Sequence, residues 1–295
     1  MVSILIPTYN YNVFPLVKLL HQQALDAQLT IEIRVYDDAS TVFFEENERM
    51  HSLTNVIYKK CENNKGRTAL RNQLAQDAVY DALLFMDADV MPEGETFLQT
   101  QIASLTPEID LVFGGIRYTK QVPERAQMLR WKYGKQREAK TIERRREMPY
   151  LSIISQCFLL RKVFFLKAND CLENMYGLDV LFSANLKANN VRVAHIENPI
   201  VHHGLESSST FIEKTKLGIE TLYKLTNQKC VSEDFRPIQK AYLKLKKTGT
   251  ASLYIWVLGL FQKTVLKNLM SKNPSLFLFD LYRLFLYTKL KENDG

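Results

Sequence analysis

The chain has 295 residues, 46% of them hydrophobic and 24% charged, which suits one large core with room for an appended subdomain and excludes wholesale disorder. Its formal net charge of +7 favours anionic partners: nucleotide sugars, phospholipid surfaces or nucleic acid. Cys61, Cys157, Cys171 and Cys230 are widely spread, without Cys-x-x-Cys or Cys/His zinc spacing, and read as small buried or half-buried hydrophobes.

Met1-Val2-Ser3 runs straight into a strand with no basic leader, so a reducing, cytoplasmic setting is expected. Val2 to Ile6 is a short apolar strand closed by Pro7-Thr8-Tyr9-Asn10. Helical spacing follows through Phe14, Val17, Leu20 and Leu25. Ile31 to Tyr36 predicts a second strand ending at Asp37-Asp38-Ala39-Ser40, and Asn55 to Lys59 a third. Asn63-Asn64-Lys65-Gly66 then leads into a helix near Thr68 to Ala78. A fourth strand ends in Leu83-Leu84-Phe85-Met86-Asp87-Ala88-Asp89-Val90, backed by the turn Met91-Pro92-Glu93-Gly94.

This β-α-β-α succession predicts an α/β fold, Rossmann-like, with a mostly parallel central sheet and helices on both faces. Parallel crossovers put successive strand ends on one edge. Thr8, Asp37, Asp38, Asp87 and Asp89 should therefore converge on one crevice, where open α/β sheets take their ligands. Two carboxylates spaced i, i+2 at that edge suit Mg²⁺ held together with substrate phosphates.

Beyond Leu111-Val112-Phe113-Gly114-Gly115 the pattern weakens. Residues 120–146 are densely basic, read as a solvated helical face, or as a surface where Trp131 and Tyr133 meet an acceptor glycan or the cations meet a lipid pyrophosphate. Leu151 to Leu160 reads as a buried strand. Gly177-Leu178-Asp179 starts a helix, and strands follow near Val191 to His195 and Pro199 to His203. In the tail, Leu253 to Phe261 and Ser275 to Tyr287 are apolar but shorter than the ~18 residues a spanning helix needs. With Lys263, Lys267 and Lys272 between them, they suit an interfacial anchor, a packed helical subdomain or a dimer contact.

Four segments in order resemble family 2 glycosyltransferases. Val2-Ser3-Ile4-Leu5-Ile6-Pro7-Thr8-Tyr9-Asn10 is similar to the family's opening strand, and Val35-Tyr36-Asp37-Asp38-Ala39-Ser40 to its second-strand motif. Asn64-Lys65-Gly66 with Arg71-Asn72 resembles its Asn-x-Gly…Arg-Asn segment, and Asp87-Ala88-Asp89 its DXD motif. The resemblance implies a GT-A fold over residues 1–115 (nucleotide-sugar half) and 116–210 (acceptor half), with 211–295 a helical extension. It implies a transferase moving a sugar from a nucleotide-diphospho-sugar to a hydroxyl of a glycan or lipid-linked acceptor, with Mn²⁺ or Mg²⁺ and without nucleic acid. The expected setting is polysaccharide or glycolipid assembly on the inner membrane face.

Carried over residue by residue, Asp89 would ligate the metal, with Asp87 supporting the metal shell and ribose. Asp37 would accept from the base, Asp38 would hold the ribose or the loop, and Arg71 would reach base or phosphates. Pro7, Thr8, Tyr9, Asn10, Asn64, Gly66 and Ala88 would line the nucleotide-sugar pocket. Asp179 would be the base of an inverting displacement, although Leu178 stands where relatives carry Glu. One histidine after the last strand would join the metal, His202 ahead of His203, because neighbouring strand residues face opposite sides. A sugar-phosphate nucleotidyltransferase would show a Gly-rich basic loop in place of Pro7-Thr8-Tyr9-Asn10. A DxDxT phosphatase is opposed by Val90 and Met91 after Asp89. A non-catalytic nucleotide- or polyanion-binding protein on the same fold is the remaining alternative.

Overall fold

The computed structural model describes residues 1–169 and 175–293. In chain order the elements begin β1 (Val2–Thr8), α1 (Phe14–Asp26), β2 (Ile31–Asp37), α2 (Phe44–Glu48), β3 (Val56–Lys60), α3 (Arg67–Asp77) and β4 (Ala82–Met86). Next come β5 (Val90–Pro92), α4 (Phe97–Ala103), β6 (Leu111–Phe113), β7 (Ile116–Tyr118), α5 (Met128–Tyr133) and α6 (Ile142–Glu147). β8 (Cys157–Arg161), α7 (Lys162–Ala168), α8 (Asp179–Ala188), β9 (Val193–His195) and β10 (Ile200–His202) follow. Four helices close the chain: α9 (Ser208–Asn227), α10 (Pro237–Lys247), α11 (Ala251–Leu269) and α12 (Leu276–Asn293). The chain divides into two compact units: Met1–Tyr118 with Glu138–Asn174 and Asn185–Gly204, and Thr119–Arg137 with Met175–Ala184 and Leu205–Gly295.

The first unit holds a seven-stranded sheet in the order β3-β2-β1-β4-β8-β6-β9, in which only β8 runs antiparallel to its neighbours. Its central strands are near-continuous apolar runs because both faces are covered; Ile4, Leu5, Leu83, Leu84 and Phe85 have no exposed surface. The chain winds from β1 through β2 to β3, then returns to β4 on the other side of β1. That reversal opens a crevice at the carboxyl ends of β1 and β4. β4 pairs only with Ser3 to Leu5 of β1, so Pro7, which has no N–H to give, sits where β1 has parted from it. A smaller sheet, β5-β10-β7, places β10 beside the segment that follows β4.

Three expectations need correcting. Leu151 to Leu160 is a strand only from Cys157. The Ser155 and Gln156 carbonyls instead accept from Arg71 and from the Asp87 N–H, and so are lost to any ladder. The basic stretch is solvated at Arg125, Lys135, Arg137, Arg144 and Arg146, but Arg130 and Arg145 are buried. Arg145 donates to the Phe113 and Ile196 carbonyls at 3.1 and 3.0 Å and packs on the Phe113 ring, tying the ends of β6 and β9. It lies over Gly115 (φ +99°), where a Cβ would sit 3.1 Å from its guanidinium. Cys61 and Cys157 are buried as expected, Cys230 is exposed, and Cys171 falls outside the described residues.

The second unit is helical. Its core gathers Leu129 of α5, Phe211 and Ile212 of α9, Val265 and Leu269 of α11, and Leu276, Phe279, Tyr282 and Phe285 of α12. Ser207 caps α9 by accepting from Thr210 N–H at 3.1 Å, and Pro237 opens α10 where its missing N–H costs nothing.

Candidate active site

The loops after β1 and β2 brace each other. Asp38 N–H donates to the Thr8 carbonyl at 2.9 Å, Asn10 N–H to Ser40 Oγ at 2.7 Å, and Thr41 N–H to Asn10 Oδ1 at 2.8 Å. Asn10 itself takes φ +49°, a conformation Asn tolerates better than most residues. Asp37 is fully buried; its two carboxylate oxygens accept from Ser40 N–H (2.7 Å) and Tyr58 Oη (2.8 Å). Burial and that bond to Asp37 push the Tyr58 phenol up, so it stays a donor. Asp38 accepts from Lys65 N–H at 2.7 Å and Gly66 N–H at 2.9 Å, while Asn64 Nδ2 donates to the Asp38 carbonyl. Asp38 thus holds the Asn64-Lys65-Gly66 loop at the start of α3, and Gly66 supplies the φ of +81° the loop needs. Tyr9, about half exposed, lies on the rim.

From that anchored start α3 sends two arginines to one point. Arg67 and Arg71 are spaced i, i+4, hence on one helix face. Arg71 Nη2 meets Asp87 Oδ1 at 2.6 Å and the Ser155 carbonyl at 2.5 Å; Arg67 Nη2 reaches Asp87 Oδ2 at 2.7 Å and Ser155 Oγ at 3.1 Å. Burial alone would raise the Asp87 carboxyl, but the two guanidiniums outweigh it and hold the group below its ordinary range. In the chain alone the oxygens of Asp87 face two arginines, as an ion-paired anchor. Arg67 had no place in the sequence reading. Its spacing from Arg71 was the available signal, whereas nothing in the sequence marks Ser155.

Asp89 is differently placed. Its Oδ2 lies 3.1 Å from His202 Nε2, and its carbonyl accepts from His203 N–H at 2.9 Å. Gly204 passes so close that a Cβ there would fall 1.8 Å from Asp89 Oδ2. Only glycine allows that approach. His202 is 3% exposed, with Nδ1 buried and unpartnered and the Tyr118 ring edge-on at 5.4 Å. His203 is exposed and, with Tyr11, Asn12, Pro15, Ala88 and Met91, lines a cavity of about 210 Å³ beside Asp89. Burial and the Asp89 charge push the Tyr11 phenol up, so it too remains a donor. Thr8, Asp37, Asp38, Asp87 and Asp89 are in this way linked along one edge.

No cluster of three His, Cys, Asp or Glu able to hold a metal occurs among the described residues. Asp89 and His202 nonetheless fit Mn²⁺ or Mg²⁺ in a substrate complex, because such ions take one or two protein ligands and complete their shell with phosphate oxygens and water. Asp179 is exposed and opens α8 in the second unit. Within that unit Gly177 (φ +91°) lets the chain pass Gly218 of α9, where a Cβ would be 2.9 Å from the Gly218 Cα. The charge of Asp179 also reaches the half-buried Arg236.

Strand ends gathered at a sheet reversal, an arginine-held acid and an acid–histidine pair mark the carboxyl edge of this α/β sheet as the candidate site. Residues 3–168, more than half of the chain, match the family described as Glycosyl transferase family 2, and the chain belongs to that family of sugar-transferring enzymes. Its fold is GT-A. Mannosyl-3-phosphoglycerate synthase from Rubrobacter xylanophilus superposes with a TM-score of 0.55 at 14% identity, over 78% of this chain and 75% of that one. Glucosyl-3-phosphoglycerate synthase from Mycobacterium tuberculosis, in complex with Mg²⁺ and uridine diphosphate, gives 0.53 at 12% identity over 79% and 81%. S. aureus TarS in complex with UDP-GlcNAc gives 0.49 at 18% identity over 99% and 91%. No curated protein is significantly similar in sequence.

Proposed function

We propose that this enzyme transfers a sugar from a nucleoside-diphospho-sugar to a hydroxyl acceptor by an inverting, metal-assisted single displacement. The observation that carries the reading is the Asp89–His202 pair, 3.1 Å apart beside the arginine-held Asp87 at the sheet's carboxyl edge. Asp89 and His202 would hold Mn²⁺ or Mg²⁺, which supplies Lewis-acid stabilisation of the departing diphosphate. The synthase that superposes in complex with Mg²⁺ and uridine diphosphate supports a donor of this chemistry.

The remaining roles follow. Pro7, Thr8, Tyr9 and Asn10 wall the nucleotide pocket with Ala88, and Asn64 and Gly66 form its floor through Asp38. Asp37, closed off by Ser40 and Tyr58, shapes the base site as a brace. Asp87 fixes Arg67 and Arg71 so that their guanidinium charge stands beside phosphate or ribose. Asp179 takes the acceptor hydroxyl proton as the acceptor oxygen bonds to the anomeric carbon. The carbon–oxygen bond to the diphosphate breaks in the same step, and its electron pair leaves on the diphosphate. Residues 1–115 serve the donor and 116–210 the acceptor. The acceptor is a glycan or lipid-linked chain made at the inner membrane face.

Calorimetry with a nucleoside diphosphate tests the site. Binding should tighten at least tenfold with Mn²⁺, and His202→Ala should remove that gain. Metal-indifferent binding with no turnover on any donor would instead favour a non-catalytic binding protein.

A further inference from the structure

Residues 251–262 of α11 include no charged side chain, although the helix packs only one flank. Ala251, Val265 and Leu269 are buried, and Tyr254, Ile255, Leu258 and Leu266 are half-buried against or beside the helical core. On the opposite side Leu253, Trp256, Leu260 and Phe261 are 59, 63, 63 and 57% exposed. Their i, i+3, i+7, i+8 spacing gathers them on one face, where large apolar side chains mark a partner. Further along that face come Lys263 and Lys267, both exposed, at i+7 and i+11 from Trp256.

Charge selects the partner. Residues 235–279 contain eight of the chain's 39 Lys and Arg and none of its 32 Asp and Glu. The excess of positive charge therefore sits wholly in this segment, and the remaining 31 cations stand against 32 anions. A second copy docked here would set cations against cations, which is repulsive. An anionic bilayer complements the lysines while its headgroup–acyl boundary accepts leucine, tryptophan and phenylalanine. No described helix is long and apolar enough to cross a membrane. Lys263 and Lys267 break the apolar character of α11, and suit a helix that lies on the surface.

We propose that the outward face of α11 docks the protein on anionic phospholipid, with Leu253, Trp256, Leu260 and Phe261 entering the headgroup boundary and Lys263 and Lys267 meeting lipid phosphates. The proposal gives the membrane-built acceptor of the preceding reading a defined lipid contact. It depends on that reading for its purpose and not for its evidence.

Flotation of the full chain with phosphatidylcholine vesicles, with and without phosphatidylglycerol, tests it in the absence of any donor. Binding is expected only with phosphatidylglycerol, weakened on the order of tenfold or more by Lys263→Glu with Lys267→Glu, and lost in Trp256→Glu with Leu260→Glu. In a Trp131→Phe background, Trp256 emission should shift to the blue on those vesicles, while both double variants should melt as the parent does. Failure of the parent to float, or flotation unchanged in the variants, would overturn the proposal. So would a dimer in solution that Trp256→Glu with Leu260→Glu returns to monomer, or a lowered melt in that variant. Each result leaves donor turnover to be judged separately.

Discussion

Asp87 and Asp89 are two residues apart yet have different chemistry, because different side chains face them. Two guanidiniums make Asp87 a fixed anion, whereas Asp89 meets a histidine, and its neighbours Ala88 and Val90 line a cavity. Arg71 is 7% exposed in its side chain and Arg67 43%, so their contributions should differ. Arg71→Ala leaves a partly buried carboxylate and the Ser155 carbonyl short of a donor, and should cost about 3 kcal/mol in urea denaturation. Arg67→Ala should cost about 1 kcal/mol or less, because its pair is solvent-screened. Equal losses would show that Asp87 does not depend on the buried arginine. The motif Asp87-Ala88-Asp89 was legible in the sequence, and so was Arg71. The ion pairing of Asp87 was not, since it needs Ser155, a residue from an irregular segment 84 positions beyond Arg71.

At the scale of elements, the strand–helix order and the edge that gathers the strand ends were readable from apolar runs and turn residues. The irregular stretch before Cys157 was misread, because Leu151, Ile153 and Ile154 make it look apolar while its carbonyls serve the site. Gly177, just before α8, meets two constraints, its positive φ and the approach to Gly218. Gly177→Ala should lower stability by about 1–3 kcal/mol and displace Asp179, reducing transfer to acceptor more than donor hydrolysis. Transfer and hydrolysis falling in equal proportion would argue against Asp179 as the base.

The end of β9 carries a pH dependence. His195 is 3% exposed, hydrogen-bonded through Nε2 to the Pro149 carbonyl, and burial pushes it down from 6.5 to about 4. As pH falls the unfolded chain therefore takes up this proton first. Stability should be full above about 6.5 and decline toward 4, by on the order of 2 kcal/mol. His195→Gln should flatten that decline in urea midpoints measured across this range. The Asp87 contribution, with its lowered carboxyl, should be lost only at still lower pH. A wild-type profile flat between 6.5 and 4 would contradict the assignment.

Over the whole molecule, the sheet unit carries the proposed donor-site residues, and the helical unit carries the charge excess and Asp179. The first was legible because strand ends and turn residues have strong local signatures. The second was legible only as apolar runs, since which helix flank is packed depends on partners distant in sequence, such as α9 and α12 around Val265 and Leu269. The central claim is that Asp89 and His202 hold a divalent cation on a nucleoside-diphospho-sugar. The measurement closest to it is release of nucleoside diphosphate by the full chain across a set of donors, with Mn²⁺ or with chelator, for the parent and Asp89→Ala. The account predicts turnover on at least one donor that needs the metal and falls about a hundredfold or more in Asp89→Ala. Turnover that survives both chelation and Asp89→Ala undiminished would contradict it.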